Sequence, residues 1–88
     1  MPTIDAAFHA LSDPTRRAIL QRLTQGPSTV GEIASPFSIS IQATSKHLRV
    51  LESAGLIQKR KAGRDRLISI DLRGLKDVQN YIVKICTI

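Results

Sequence analysis

The 88-residue chain has a single cysteine, no tryptophan, one tyrosine and two phenylalanines, and only seven acidic residues against thirteen lysines and arginines. One cysteine excludes an intrachain disulfide framework and fits a reducing, cytoplasmic compartment. So few aromatic rings leave no stacking platform for unpaired bases, which disfavours single-stranded nucleic acid as a partner. No apolar run approaches the roughly 20 residues that span a bilayer, and no charged segment followed by an apolar stretch marks an export signal. Internal repeats and low-complexity stretches are also missing. What remains is one expected domain, residues 1–88, with one modest core. Its formal charge of +6 favours a polyanionic partner. An acidic membrane surface would exert the same attraction but has no other support.

Breakers at Asp13-Pro14, Gly26-Pro27, Ser35-Pro36, Gly55, Gly63 and Gly74 divide the chain into short pieces. Thr3 caps a first helix from Ile4 to about Leu11, with Ile4, Ala7, Phe8 and Leu11 as its apolar stripe. Asp13 caps a second, with Pro14 at the first helical position, where a missing N–H costs nothing. This helix runs to about Gln25 and buries Ala18, Ile19, Leu20 and Leu23. Thr29 and Glu32 have the spacing of a capping box and open a short third helix that ends before Pro36. Pro36-Phe37-Ser38-Ile39 is a turn, with Phe37 and Ile39 directed into the core. Asp71 caps a last helix carrying Leu72, Leu75, Val78, Ile82 and Ile85 as its core stripe.

The segment from Ser40 to Leu56 reads as one helix with two different faces. At 3.6 residues per turn, Ile41, Thr44, Leu48 and Leu51 fall on one side, while Gln42, Lys46, Arg49 and Ser53 fall nearly opposite. Ala43, His47 and Val50 lie along one flank. Ser40 is a good N-cap and Gly55 a good stop, since glycine takes the left-handed conformation needed past a C-cap. A polar face of this kind has no use inside a core. The N-terminal end of such a helix is what a helix-turn-helix protein inserts into the DNA major groove.

Downstream, two β-type runs, Leu56 to Lys61 and Arg66 to Ile70, flank the turn Ala62-Gly63-Arg64-Asp65 and predict a hairpin. Five of the eight residues from Lys59 to Arg66 are basic. Alone, such a run is usually a solvated loop. Beside a helix with an unexplained polar face it reads as a wing that grips phosphate, through Lys61, Arg64 and Arg66 in preference to Lys59, because strand residues alternate faces. The expected fold is mostly α with a two-stranded β-hairpin, in the order α-α-α-α-β-β-α, a winged helix-turn-helix.

These residues resemble the ArsR family of bacterial winged-helix repressors from about Phe8 to Leu75. The resemblance lies in four motifs at family spacing: Asp13-Pro14-Thr15-Arg16-Arg17-Ala18-Ile19-Leu20, Val30-Gly31-Glu32-Ile33-Ala34, Ala43 to Leu51, and Glu52 to Ile57. It implies a homodimer built from the first and last helices that occupies a promoter operator, an imperfect palindrome in double-stranded DNA. Carried over, the base-reading positions are Gln42, Ala43, Ser45, Lys46 and His47, with Ser40 opening the helix and Arg49 supporting it on phosphate. Many members have Gln where this chain has Ile41, and Pro where it has Gln42, so a typical family operator is not implied. An inward-packed Ile41 would leave Gln42 as the direct reader, able to bond adenine N6 and N7. His47 either packs beneath the phosphate backbone or touches a base. Ser45 either reads or bonds its own backbone. Lys46 reads a base or contacts phosphate alone, and Arg16 and Arg17 contact phosphate or form an ion pair.

Many members of this family sense metals. The Cys-x-Cys site on the family's third helix would fall near Val30 to Ala34, which holds no cysteine, and the last helix has no histidine for the family's second site. No metal and no cofactor are therefore expected. Cys86 is either an inert residue or a redox contact across a dimer axis. An enzyme is not expected either: Ser45 and His47, two residues apart, point to nearly opposite sides of their helix, and no acidic partner orients the histidine.

Dimerisation follows from the residues as well. The first helix is apolar on more than one face, and the last adds Tyr81, Val83, Cys86 and Ile88 to its core stripe. A small core cannot cover both, and a two-fold interface is the common outlet. Helices near 4–11 and 72–86 are expected to form it through Ile4, Phe8, Tyr81, Ile82 and Ile85. The family's last helix often runs beyond the position of Ile88, and a shorter one implies a weaker dimer. Two alternatives to the repressor remain, a winged-helix protein-interaction module and a non-specific architectural DNA binder.

Overall fold

The computed structural model describes residues 3–87. Its elements are α1 (Ile4–Leu11), α2 (Pro14–Leu23), α3 (Val30–Ala34), a 3-10 turn (Ser35–Phe37), α4 (Ile41–Ser53), β1 (Ile57–Ala62), β2 (Asp65–Ile70) and α5 (Leu72–Cys86). This is the expected order with one addition, since Pro36 lies inside the 3-10 turn. Each helix start follows from its cap. Thr3, Asp13 and Ser40 accept the amide three residues on at 3.1, 2.9 and 3.0 Å. Thr29 accepts from the Glu32 amide at 3.3 Å, and the Glu32 carboxylate accepts from the Thr29 amide at 2.8 Å. Asp71 accepts from the Arg73 amide at 3.1 Å. These bonds occupy amides that have no acceptor within the helix.

α4 ends in a Schellman turn. Gly55, at φ 76, donates to the Glu52 carbonyl at 2.9 Å, and the Leu56 amide donates to the Leu51 carbonyl at 3.0 Å. α2 stops two residues short of expectation. The Thr24 hydroxyl and amide both turn back to the Gln21 carbonyl, at 2.6 and 3.2 Å.

Ile19, Ile33, Leu48, Leu51, Leu56 and Ile68 are fully buried; α2 and α3 pack against α4, and β2 packs against α2 and α3. Thr44 is buried with them, and its hydroxyl returns to the Ser40 carbonyl at 2.9 Å, which satisfies the polar group within its own helix. The hairpin is antiparallel, pairing Ile57 with Ile70, Lys59 with Ile68 and Lys61 with Arg66. Gly63, at φ 63, opens its two-residue turn as a primed turn requires. Ser28 and Ile68 exchange backbone bonds of 3.0 and 2.8 Å and anchor β2 to the segment before α3. A one-residue bridge of this kind leaves no trace in a sequence pattern.

Several burial expectations are corrected. α1 buries Ala7 and Ala10, with Ile4 and Leu11 partly covered, while Phe8 is exposed and meets Tyr81 edge-on at a ring separation of 5.7 Å. In α2, Ala18 is only half-buried, as is Ile39 in the turn, while the partly buried Phe37 packs against the core as expected. In α5 only Val78 is buried and Leu75 partly so; Ile82 and Ile85 lie on the same side of the helix as Val78 but further toward its C-terminal end, and they and Leu72 are exposed, while α5 meets α1 and the end of α4. Ile41 is not packed inward but 50% exposed. It stands in the first turn of α4, at the edge of an arc that becomes buried only from Thr44 onward. Gly74 breaks nothing, lying inside α5. Ile88 lies outside the described residues. Among the described residues no helix is long and apolar enough to cross a membrane.

Candidate nucleic-acid interface

The face of α4 turned away from the core carries Gln42, Lys46 and Arg49, all exposed, with Ala43, Ser45 and His47 half-buried along its margins. Ser40 is exposed, but its hydroxyl is committed to the Ala43 amide. The carbonyl of Ser40 takes the Thr44 hydroxyl, so the residue's first task is to hold the helix start rigid. Thr44, and not Ser45, is the side chain that bonds back to its own helix.

His47 is held from α2. Its Nδ1 lies 3.9 Å from the Asp13 carboxylate and 3.5 Å from an Arg16 guanidinium nitrogen, the latter a weak bond at most. The remainder of Arg16 bonds to the backbone of α1, with Nε donating to the Ala10 carbonyl at 2.7 Å and a terminal nitrogen to the His9 carbonyl at 3.1 Å. Arg17 donates to the Leu11 carbonyl at 2.8 Å. Among the described residues neither arginine forms the ion pair that was the alternative to a phosphate contact. Both cap the C-terminal carbonyls of α1, where positive charge also meets the negative end of the helix dipole. Asp13 is the hinge of the cluster. The Arg16 amide holds its carboxyl below the usual carboxylate range, and the charges of Arg16 and His47 add to that.

Two more carboxylates are depressed in the same direction. Glu32 is lowered by its bonds to Thr29, and Asp71 by the Arg73 guanidinium 2.9 Å away and by the Arg73 amide.

The wing separates its cations by role. Lys59, mostly covered, reaches Glu52 of α4 at 3.5 Å and ties the base of the hairpin to the helix. Lys61, Arg64 and Arg66 are exposed at the tip. Lys61 and Arg66 are direct cross-strand partners, a like-charged pair that is unfavourable in an isolated hairpin. A tip built with this repulsion fits a polyanion.

Among the described residues no three His, Cys, Asp or Glu side chains come together as metal ligands, and Cys86 is a free, exposed thiol. Sequence reasoning missed the grouping of Arg16 and Asp13 around His47, which joins elements far apart in the chain, and the pairing of Lys59 with Glu52, which joins two consecutive ones. Only the capping role of Asp13 has a local signal.

A helix-turn-helix domain family model matches residues 11–60. The HTH-type transcriptional regulator Rv2034 of Mycobacterium tuberculosis is 48% identical over 71 residues, which cover 81% of this chain and 66% of that protein, just under two thirds of its length. The transcriptional repressor SdpR of Bacillus subtilis is 40% identical over 76 residues, covering 86% of this chain and 84% of the repressor. Among solved structures, the ArsR family transcriptional regulator RHA00566 superimposes with a TM-score of 0.84 at 38% identity, over 96% of this chain and 91% of that one. The homodimeric winged helix-turn-helix DNA-binding domain Mb0332 of Mycobacterium bovis does so with a TM-score of 0.78 at 26% identity, over 91% and 75%. The winged helix-turn-helix architecture, its motifs and these relatives together make the chain a member of the ArsR family of helix-turn-helix transcriptional regulators.

Proposed function

We propose that the protein is a homodimeric repressor that binds an imperfectly palindromic operator in double-stranded DNA, acting on the bacterial nucleoid in the cytoplasm and carrying out no catalysis. The observation that carries this reading is the exposed face of Gln42, Lys46 and Arg49 on a helix whose other face is the centre of the core. Gln42, Ala43, Ser45 and Lys46 face the bases, Arg49 takes phosphate, and Ser40 sets the helix start. His47, drawn toward Asp13 and Arg16, positions the helix against α2. Lys61, Arg64 and Arg66 grip flanking phosphate.

Residues 1–88 act as one domain. The exposed apolar side chains of α5, with Phe8 and the partly covered Ile4 of α1, supply a self-complementary surface, as the homodimeric relative supports. Two α4 helices one helical turn of DNA apart then read successive major grooves.

The test is fluorescence-anisotropy binding to the DNA upstream of the protein's own gene and to a scrambled duplex, across a salt series. The reading expects both affinities to fall with salt, as phosphate contacts release counterions. It also expects a preference of about a thousandfold or more for the native duplex. Equal, salt-sensitive binding to every duplex offered, including candidate operators selected from a random pool, would favour an architectural role. No binding at low salt would favour a protein-interaction module.

A further inference from the structure

Ile41 is the one large hydrophobic side chain of α4 left substantially in water. Phe8, Leu72 and the exposed apolar residues near the C-terminal end of α5 lie on or beside the surface assigned to the second protomer. Ile41 stands apart from them, at the first position of the helix that enters the groove, immediately before the exposed Gln42. The Ser40 cap fixes the backbone at this point. A β-branched side chain in a helix keeps essentially one χ1 rotamer, so the methyl groups of Ile41 are presented in a set direction at little entropic cost. Polar and charged side chains are the usual occupants of a helix end meant only for water or phosphate. In the major groove, one base edge carries an apolar group, the C5-methyl of thymine.

We infer that Ile41 is a specificity-determining residue of this regulator, packing against the C5-methyl of one thymine in each operator half-site beside the base bonded by Gln42. The inference rests on the reading of α4 as the DNA-recognition helix. It concerns a position where the side chain has no hydrogen-bonding capacity and discriminates by apolar contact alone. A cytosine at the same place presents no methyl and brings its amino group against the isoleucine, an unpaired donor at an apolar contact.

The experiment replaces the thymines of the operator one at a time with deoxyuridine, which removes the methyl group and leaves the base pair intact. The wild-type protein and Ile41→Ala are both titrated against each duplex. One thymine per half-site is expected to show a loss of about fourfold for the wild type when converted to deoxyuridine, the worth of burying one methyl group, and no loss for Ile41→Ala. On the unmodified operator Ile41→Ala should bind at least that much more weakly, with a smaller loss on scrambled DNA. Ile41→Val, which keeps the branched methyl groups, should restore most of the sensitivity. Methyl removal that leaves the wild type unaffected at every position, or affects Ile41→Ala equally, overturns the inference while leaving the operator reading intact. A wild-type protein that does not distinguish operator from scrambled duplex overturns both.

Discussion

Gly74, inside α5, lies so close to Gly55 at the end of α4 that a Cβ on Gly74 would overlap the Gly55 carbonyl oxygen and come within 2.7 Å of its carbonyl carbon. The same Cβ would press on Leu56 at 3.3 Å. Gly55 is itself pinned by the Schellman turn, so neither backbone can yield cheaply. Gly74→Ala should therefore push α5 off the end of α4, at a cost of about 1–3 kcal/mol or more. For a domain of this size that is roughly 5–20 °C in melting temperature. Gly31→Ala is the control: its Cβ would meet nothing within 4 Å, and a helical glycine exchanged for alanine should gain about 0.5–1 kcal/mol. Thermal melts of both variants check the sign; a destabilised Gly31→Ala or a neutral Gly74→Ala would contradict it.

Lys61 and Arg66 face each other across the hairpin as a like-charged pair, so if the wing grips phosphate as proposed, wing stability and DNA affinity should pull in opposite directions. Lys61→Gln should melt no lower than the wild type, because it removes a repulsion. In anisotropy titrations it should bind operator and scrambled DNA more weakly by a similar factor. The slope of log affinity against log salt should shrink by about 2 per dimer, one phosphate contact from each wing. A variant that lost operator affinity alone would make Lys61 a base reader.

Gln42→Ala should behave differently. Loss of a side chain bonded to a base edge costs about 1–3 kcal/mol at the operator, roughly 5- to 150-fold, with little change on scrambled DNA and no change in salt slope. Competition titrations measure the ratio directly. An equal loss on both duplexes would remove Gln42 from the reading set.

The helix starts were legible because each cap is written within four residues of its helix. Thr3, Asp13, Thr29 with Glu32, Ser40 and Asp71 all hold the positions their spacing implies. The hairpin and the polar face of α4 were legible for the same reason, a short period in the pattern. What periodicity does not carry is where the neighbouring elements end. Ile41, Ile82 and Ile85 obey the apolar stripe of their helices but are left about half in water. Arg16 and Arg17 look like surface cations until the fold brings the end of α1 within their reach. Gly74 reads as a breaker in sequence because the carbonyl that demands it lies 19 residues away, at Gly55.

Acid should unfold this protein through its caps. Asp13, Glu32 and Asp71 all titrate below their ordinary values in the folded chain, each because its ionised form accepts bonds from backbone or side-chain donors. A carboxylate with a depressed folded pKa stabilises the native state fully above its unfolded pKa and loses that contribution as pH falls through the folded value. Melting temperature should be nearly flat from pH 5 to 7 and drop below about pH 4. Asp13→Asn keeps an N-cap acceptor but cannot titrate, so its acid slope should be shallower than that of the wild type. An equal slope would place the acid sensitivity elsewhere.

Ile82 and Ile85 are 46% and 48% exposed in the protomer, in the C-terminal part of a helix that also meets α1. Charge placed there keeps about half of its surface in water in the single chain, yet it would have to be desolvated in a two-fold interface where each residue approaches its own symmetry mate or a near neighbour. Ile82→Glu should therefore convert a dimer to a monomer in sedimentation velocity while leaving the far-ultraviolet circular dichroism close to that of the wild type. Operator affinity should fall by far more than the loss of any one side-chain contact, because a monomer engages one half-site and forfeits the effective concentration that links the two recognition helices. Binding to scrambled DNA, carried by phosphate contacts, should weaken less. If Ile82→Glu remained dimeric and bound operator normally, the exposed face of α5 would not be the interface, and the pairing of the two recognition helices would have to be set by another surface.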